Sequence, residues 1–147
     1  MEYWKWKAID RLKDYSLQQA ALQNIPEEIS RLESEMYSIK SATADGNPVK
    51  GGGNGREDRL LSNIVRREEL GMMLERAKKS VSIVDRGLAV LSQGERHILE
   101  TMYITRVSGY KEKLMDEYCL AEESSLYKKA NKALMRFTIA MYGATES

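Results

Sequence analysis

Apolar residues recur along this chain with the period of a helix, and nowhere keep up the two-residue alternation of a strand. From position 2 to about 23, Trp4, Ala8, Ile9, Leu12, Tyr15 and Leu22 fall at roughly helical spacing, in a stretch without Gly or Pro. Asn24 and Pro26 predict a stop and a fresh start. Pro suits a first helical turn, and Glu27 and Glu28 are favoured by the positive end of the helix dipole. The second helix has the sharper stripe, because Ile25, Ile29, Leu32, Met36 and Ile39 step as a heptad seam. Residues 1–42 are therefore expected to form a helical pair.

The periodicity collapses across residues 43–55 into TADGNPVKGGGNG, which predicts a flexible Gly-rich linker. Lys50 beside these glycines lacks the following Ser or Thr, and the preceding strand, that a phosphate-binding loop requires. Residues 56–91 then read as one long assembly helix, ~54 Å if unbroken. Its seam is Leu60, Ile64, Leu70, Leu74, Ala77, Val81, Val84, Leu88 and Leu91, interrupted by Arg67. Gly71 and Gly87 each weaken it by ~1 kcal/mol relative to Ala, which predicts a break near Gly87. A helix of this length must bury its seam against the first two helices, a second copy, or both, so a homodimer is expected.

Residues 92–143 divide more finely. Ser92 and Glu95 spell a capping box that opens a short helix with Ile98, Leu99, Met102 and Tyr103 turned inward. Ser108-Gly109 ends it, and a second short helix over about Tyr110–Tyr118 buries Leu114, Met115 and Tyr118. Cys119 to Glu123 makes a turn with Leu120 as its apolar plug. The last helix, Ser124–Gly143, gathers Leu126, Ala130, Ala133, Leu134, Phe137 and Met141 on one side. The fold class expected for the chain is all-α.

Net charge is only +1 over 147 residues, so the distribution of charge says more than its sum. From Ser92 to Glu123, the acids Glu95, Glu100, Glu112, Asp116, Glu117, Glu122 and Glu123 outnumber Arg96, Arg106, Lys111 and Lys113. The last helix reverses this with Lys128, Lys129, Lys132 and Arg136 and no acid. A solubility face normally mixes signs, whereas a helix bearing only cations suits the phosphates of duplex DNA. Ser124, Ser125, Lys128, Lys129, Asn131, Lys132 and Arg136 are the candidate DNA-binding residues. Of these, Ser124 and Ser125 are also candidate helix caps.

Other classes find less support. One cysteine, Cys119, rules out a disulfide framework within the chain, and is expected to be a buried or half-buried thiol. His97 is the only histidine and lies beside an inward-facing Ile98. No nucleophile–base pair, pocketed carboxylate pair or metal cluster is legible, so no enzyme, cofactor or metal is expected. Trp4 and Trp6 among lysines have a membrane-surface character that Asp10 and Asp14 interrupt, and packing is the better use. No apolar run reaches membrane-spanning length, and a cytoplasmic location is expected.

The order of these motifs resembles region 4 of bacterial sigma factors. The matching residues are Glu95-Arg96-His97-Ile98-Leu99, Tyr103-Ile104, Leu114-Met115-Asp116-Glu117, Ser124-Ser125-Leu126 and Ala133-Leu134. Upstream, the helical pair, the Pro48-Val49-Lys50-Gly51-Gly52-Gly53 segment, Glu57-Asp58-Arg59-Leu60 and Arg66-Arg67-Glu68-Glu69-Leu70 are similar to phage late transcriptional regulators of the ArpU/RinA-like group. The resemblance implies a helix-turn-helix, double-stranded DNA as ligand, activation of late genes and contact with bacterial RNA polymerase. Ser124, Ser125, Lys128 and Asn131 would lie nearest the bases. The chain departs from that pattern in its turn, where Cys119 stands in place of a usual Gly and Glu122-Glu123 lengthens it by a residue. Two alternatives stay open: a small terminase subunit or other DNA-packaging adaptor, and a helical protein-interaction module that acts on RNA polymerase without binding DNA.

Overall fold

The computed structural model describes residues 2–41 and 53–144, and everything regular among them is helical. α1 runs Tyr3–Ser41, α2 Gly53–Ala89 and α3 Gln93–Leu99. A π-helical turn, Glu100–Thr105, continues α3, and α4 (Tyr110–Glu117) and α5 (Glu123–Tyr142) follow. None of the described helices is long and apolar enough to cross a membrane.

The two long helices depart from the sequence reading in three ways. The expected helical pair is one helix, with Pro26 inside it. An interior proline removes a backbone hydrogen bond and costs about 3 kcal/mol. Ile25, Ile29 and Leu32, just before and after it, pack with Leu70 and Leu74 of α2, and that burial offsets the cost. α2 begins at Gly53, so the last three positions of the expected linker are helical, and residues 42–52 lie outside the described residues. Finally, α2 does not break at Gly87. A Cβ there would lie 2.6 Å from two ring carbons of Phe137 and 2.8 Å from Met141 Cγ, so this glycine lets α5 approach closely.

The chain forms two compact units. The unit Gln19–Lys78 is a helical pair with a slender core, in which Ile25, Leu32 and Leu70 are buried and Ala21, Ile29 and Leu74 pack beside them. The expected self-association seams thus bury one another within the chain. Arg67, the interruption in the α2 seam, belongs to a polar clasp. Its Nε donates to Asn63 Oδ1 at 2.8 Å, its Nη2 faces the Met36 sulfur, and buried Asn63 donates Nδ2 to the Leu32 carbonyl at 2.7 Å. An unpaired buried amide would cost about 1–3 kcal/mol, so the clasp fixes which turn of α1 meets which turn of α2.

The unit Met1–Gln18 with Lys79–Ser147 has a denser interior. Trp4, Ala8 and Leu12 of α1 meet Val84, Leu88 and Leu91 from the end of α2, together with Leu99, Ala133, Leu134, Phe137 and Met141. A second cluster, Ile98, Met102, Leu114, Leu126 and Ala130, joins α3, α4 and α5. The capping box forms as expected: Glu95 N–H donates to Ser92 Oγ at 3.2 Å, and Ser92 N–H to Glu95 Oε1 at 3.1 Å.

Candidate nucleic-acid interface

The turn between α4 and α5 determines how α5 is presented. α4 stops when Cys119 adopts φ +53°, a left-handed conformation. Cys119 N–H then donates to the Asp116 carbonyl at 3.3 Å and Leu120 N–H to the Met115 carbonyl at 2.8 Å. These two bonds make a Schellman motif, and half-buried Leu120 and Met115 both pack on the same core cluster, as its hydrophobic contact requires. Glycine is the usual occupant of the left-handed position because it has no Cβ to strain. The Cys119 thiol is exposed, not buried as its residue type suggested, because a left-handed turn residue points outward here.

α5 starts one residue earlier than expected, at Glu123, with Glu122 at the cap position. Ser124 and Ser125 are therefore not its caps. Ser124 Oγ donates to Glu122 Oε2 at 3.2 Å, and Ser125 N–H to the Glu122 carbonyl at 3.2 Å. The two acids of the turn differ: among the described residues the Glu122 carboxylate meets only the Ser124 hydroxyl, whereas Glu123 is paired. Glu123 pairs with Lys111 of α4 at 2.8 Å and sits in the first turn of α5, where the dipole favours it. Lys111 also lies 5.6 Å above the Tyr127 ring, and Glu123 followed by Tyr127 raises its pKa above the ordinary lysine range. The pair staples α4 to α5.

The candidate DNA-binding residues divide by how far they are committed elsewhere. Leu126, Ala130, Ala133, Leu134, Phe137, Thr138 and Met141 form the buried face of α5. Opposite them, Ser124, Lys128 and Lys132 are exposed at successive turns, with Ser125 partly exposed and Asn131 half-buried at the edge. Lys128 and Lys132 make no ion pair among the described residues. Lys129 is drawn aside, its ammonium 5.7 Å from the centre of the Tyr118 ring. Arg136 is bound more firmly: it pairs with Glu95 and donates to the Val90 carbonyl at 3.4 Å. One carboxylate, Glu95, thus serves both the capping box and a tie to α5. Arg136 acts as a brace, and the free cationic surface contracts to Lys128 and Lys132.

Sequence reasoning missed three features of this region. Glu95–Arg136 and Lys111–Glu123 cross between helices, where counting charges by segment cannot pair them. The exposed ridge of α5 also continues past its lysines into Met135, Ile139 and Tyr142, 47%, 45% and 39% exposed. The spacing 128, 132, 135, 139, 142 was available as a signal, being a heptad seam on the face opposite the core. Beneath the α4 end, His97 Nε2 meets Glu117 Oε2 at 2.8 Å and Tyr118 donates its hydroxyl to the Gly94 carbonyl at 3.1 Å, tying α4 to α3. No family model, no curated protein and no solved structure matches this chain.

Proposed function

We propose that the chain is a sequence-specific DNA-binding regulator of transcription, with α4, the Cys119 turn and α5 acting as a helix-turn-helix. One observation carries this reading: Lys128 and Lys132 stand exposed one turn apart on the open face of α5, without ion pairs among the described residues, while the nearby acids Glu123 and Glu95 are neutralised by Lys111 and Arg136. α5 would lie in a major groove, its lysines on phosphates and Ser124, Ser125 and Asn131 near base edges. Activation of late genes by contact with bacterial RNA polymerase follows from the sigma-like and ArpU/RinA-like resemblance. It would take place in the bacterial cytoplasm and requires no cofactor or catalytic step.

Self-association is part of the same reading. α2 carries exposed Leu61 and Met72 and partly covered Val65 along one outward stripe, available to a second copy. A dimer in sedimentation accords with the regulator, and a ring of eight or more subunits with the packaging-adaptor alternative.

The test is anisotropy of a labelled random duplex at several salt concentrations. The logarithm of affinity should fall linearly with log salt, by about 0.9 per phosphate contact. Lys128→Ala and Lys132→Ala should each reduce that slope by about one and weaken binding to all sequences. Ser125→Ala or Asn131→Ala should leave the slope and change preference among sites. Arg136→Ala should leave the slope and lower the melting temperature, because it breaks the Glu95 brace. No duplex affinity at low salt would overturn the reading.

A further inference from the structure

The second half of the α5 ridge is unsuited to phosphate or to base edges. Met135, Ile139 and Tyr142 stand at i, i+4 and i+7, each close to half-exposed, while Leu126, Leu134, Phe137 and Met141 of the same helix are almost fully covered. Beside Tyr142, the N-terminal part of α1 and the end of α5 enclose a hollow of about 290 Å³, lined by Trp4, Lys7, Thr138, Tyr142 and Ala144. Its rim is basic. Lys7 Nζ lies 4.9 Å from the centre of the Tyr142 ring, and Arg11 Nε donates to the Tyr142 hydroxyl at 3.0 Å. Lys132 stands apart from the hollow, one turn before Met135 on the ridge. Glu2, two residues before Trp4, accepts from the Trp4 indole N–H.

We propose that this ridge and hollow dock an amphipathic helix of a partner protein that carries carboxylates beside its apolar anchors. Three anchors at helical spacing meet a groove-seated helix at i, i+3/i+4 and i+7. The hollow accepts one large apolar side chain, and Lys7 and Arg11 select acidic neighbours for it. A second copy of this chain is the poorer occupant. Three half-exposed side chains fall far short of the roughly 800 Å² per partner that a stable dimer buries, and the matching ridge on a copy would bring its own lysines. The inference stands whether or not α5 binds DNA.

The probe is a fluorescently labelled synthetic peptide of two heptads, with Leu at the seam positions and Glu flanking them, titrated into the full chain. Saturable binding is expected. Ile139→Asn should weaken it about tenfold, as the loss of one central anchor does, and Lys7→Glu by a similar factor. Ile139 is exposed, so Ile139→Asn should leave the melting temperature where it is. A control peptide with every Glu replaced by Lys should not bind. The site fails if the acidic peptide does not bind, if it binds Ile139→Asn as well as the original, or if the lysine peptide binds equally. It also fails if Ile139→Asn turns a dimer into a monomer, which would make a second copy the occupant. Lys128→Ala should leave peptide affinity unchanged while lowering duplex affinity, so the two functions fail separately.

Discussion

α2 passes through both compact units, and its two interior glycines show how differently the units are built. Around Gly71, in the unit Gln19–Lys78, nothing lies within 4 Å of where a Cβ would be, and the apolar cluster of that unit buries only Ile25, Leu32 and Leu70, with Ile39 and Ala77 buried outside it. Around Gly87, in the other unit, Phe137 and Met141 occupy that space, and Phe137 has no exposed surface. The same residue type is a tolerated weakness in one unit and a packing requirement in the other. Two helices meeting along one stripe leave open faces, whereas α5 is gripped by the ends of α1 and α2 and by α3 and α4. The rigid support that the proposed recognition helix would need exists only in the second arrangement.

The sharpest way to break this contrast is to fill the tight glycine. Gly87→Ala should gain about 1 kcal/mol of helix propensity but force atoms into Phe137, which has nowhere to go; overpacking costs about 1–3 kcal/mol and more at so short a distance. A net loss of roughly 2 kcal/mol is expected in denaturant unfolding, together with weaker protection of α5 amides from hydrogen exchange. A variant as stable as the original would mean that α5 can move away freely, and that its placement is not set by this contact.

Next in size is the turn. Cys119→Gly removes a Cβ from a left-handed residue, where the strain is of order 1 kcal/mol, and should raise stability by about that much. Gly71→Ala should stabilise by a comparable or slightly smaller amount, because open space lets helix propensity act alone. The two alanine variants on α2 should therefore differ in sign. If both stabilise or both destabilise, the difference between the units disappears.

Much of this contrast was legible in the sequence, and the remainder was hidden for identifiable reasons. Helical periods, the Ser92–Glu95 box and the turn after Tyr118 are local, so neighbouring residues encode them. The departure at Cys119 was visible as a residue standing where glycine belongs, and the structure places it at the left-handed position. Pro26 misled because a local rule was outweighed by contacts of Ile25, Ile29 and Leu32 with residues some forty positions away. Gly87 misled for the same reason, since its partner Phe137 is fifty residues on. In the candidate interface, four cations could be read from the sequence. That Arg136 braces Glu95, Lys129 leans on Tyr118, and only Lys128 and Lys132 remain free could not be.

The smallest effect expected is a difference in alkaline sensitivity. Tyr15 and Tyr103, both in the denser unit, have their pKa pushed up to about 12, each mainly by burial; at Tyr15 the hydrogen bond to Asp85 adds to it. The ordinary phenol value is 10. Between pH 10 and 12 the unfolded chain therefore releases protons that the folded chain still holds, and linkage then requires stability to fall as pH rises. The contribution is fully present below pH 10 and is lost on passing through 12. Both rings are partly open to solvent, so the loss should be modest and should begin in α1 and the π-helical turn of that unit while the Gln19–Lys78 pair keeps its protection. Replacing both residues by Phe keeps the rings packed and removes the titrating hydroxyls, so the decline of melting temperature from pH 9.5 to 11.5 should flatten. An unchanged decline in the double variant would show that other groups, on either unit, govern the alkaline limit.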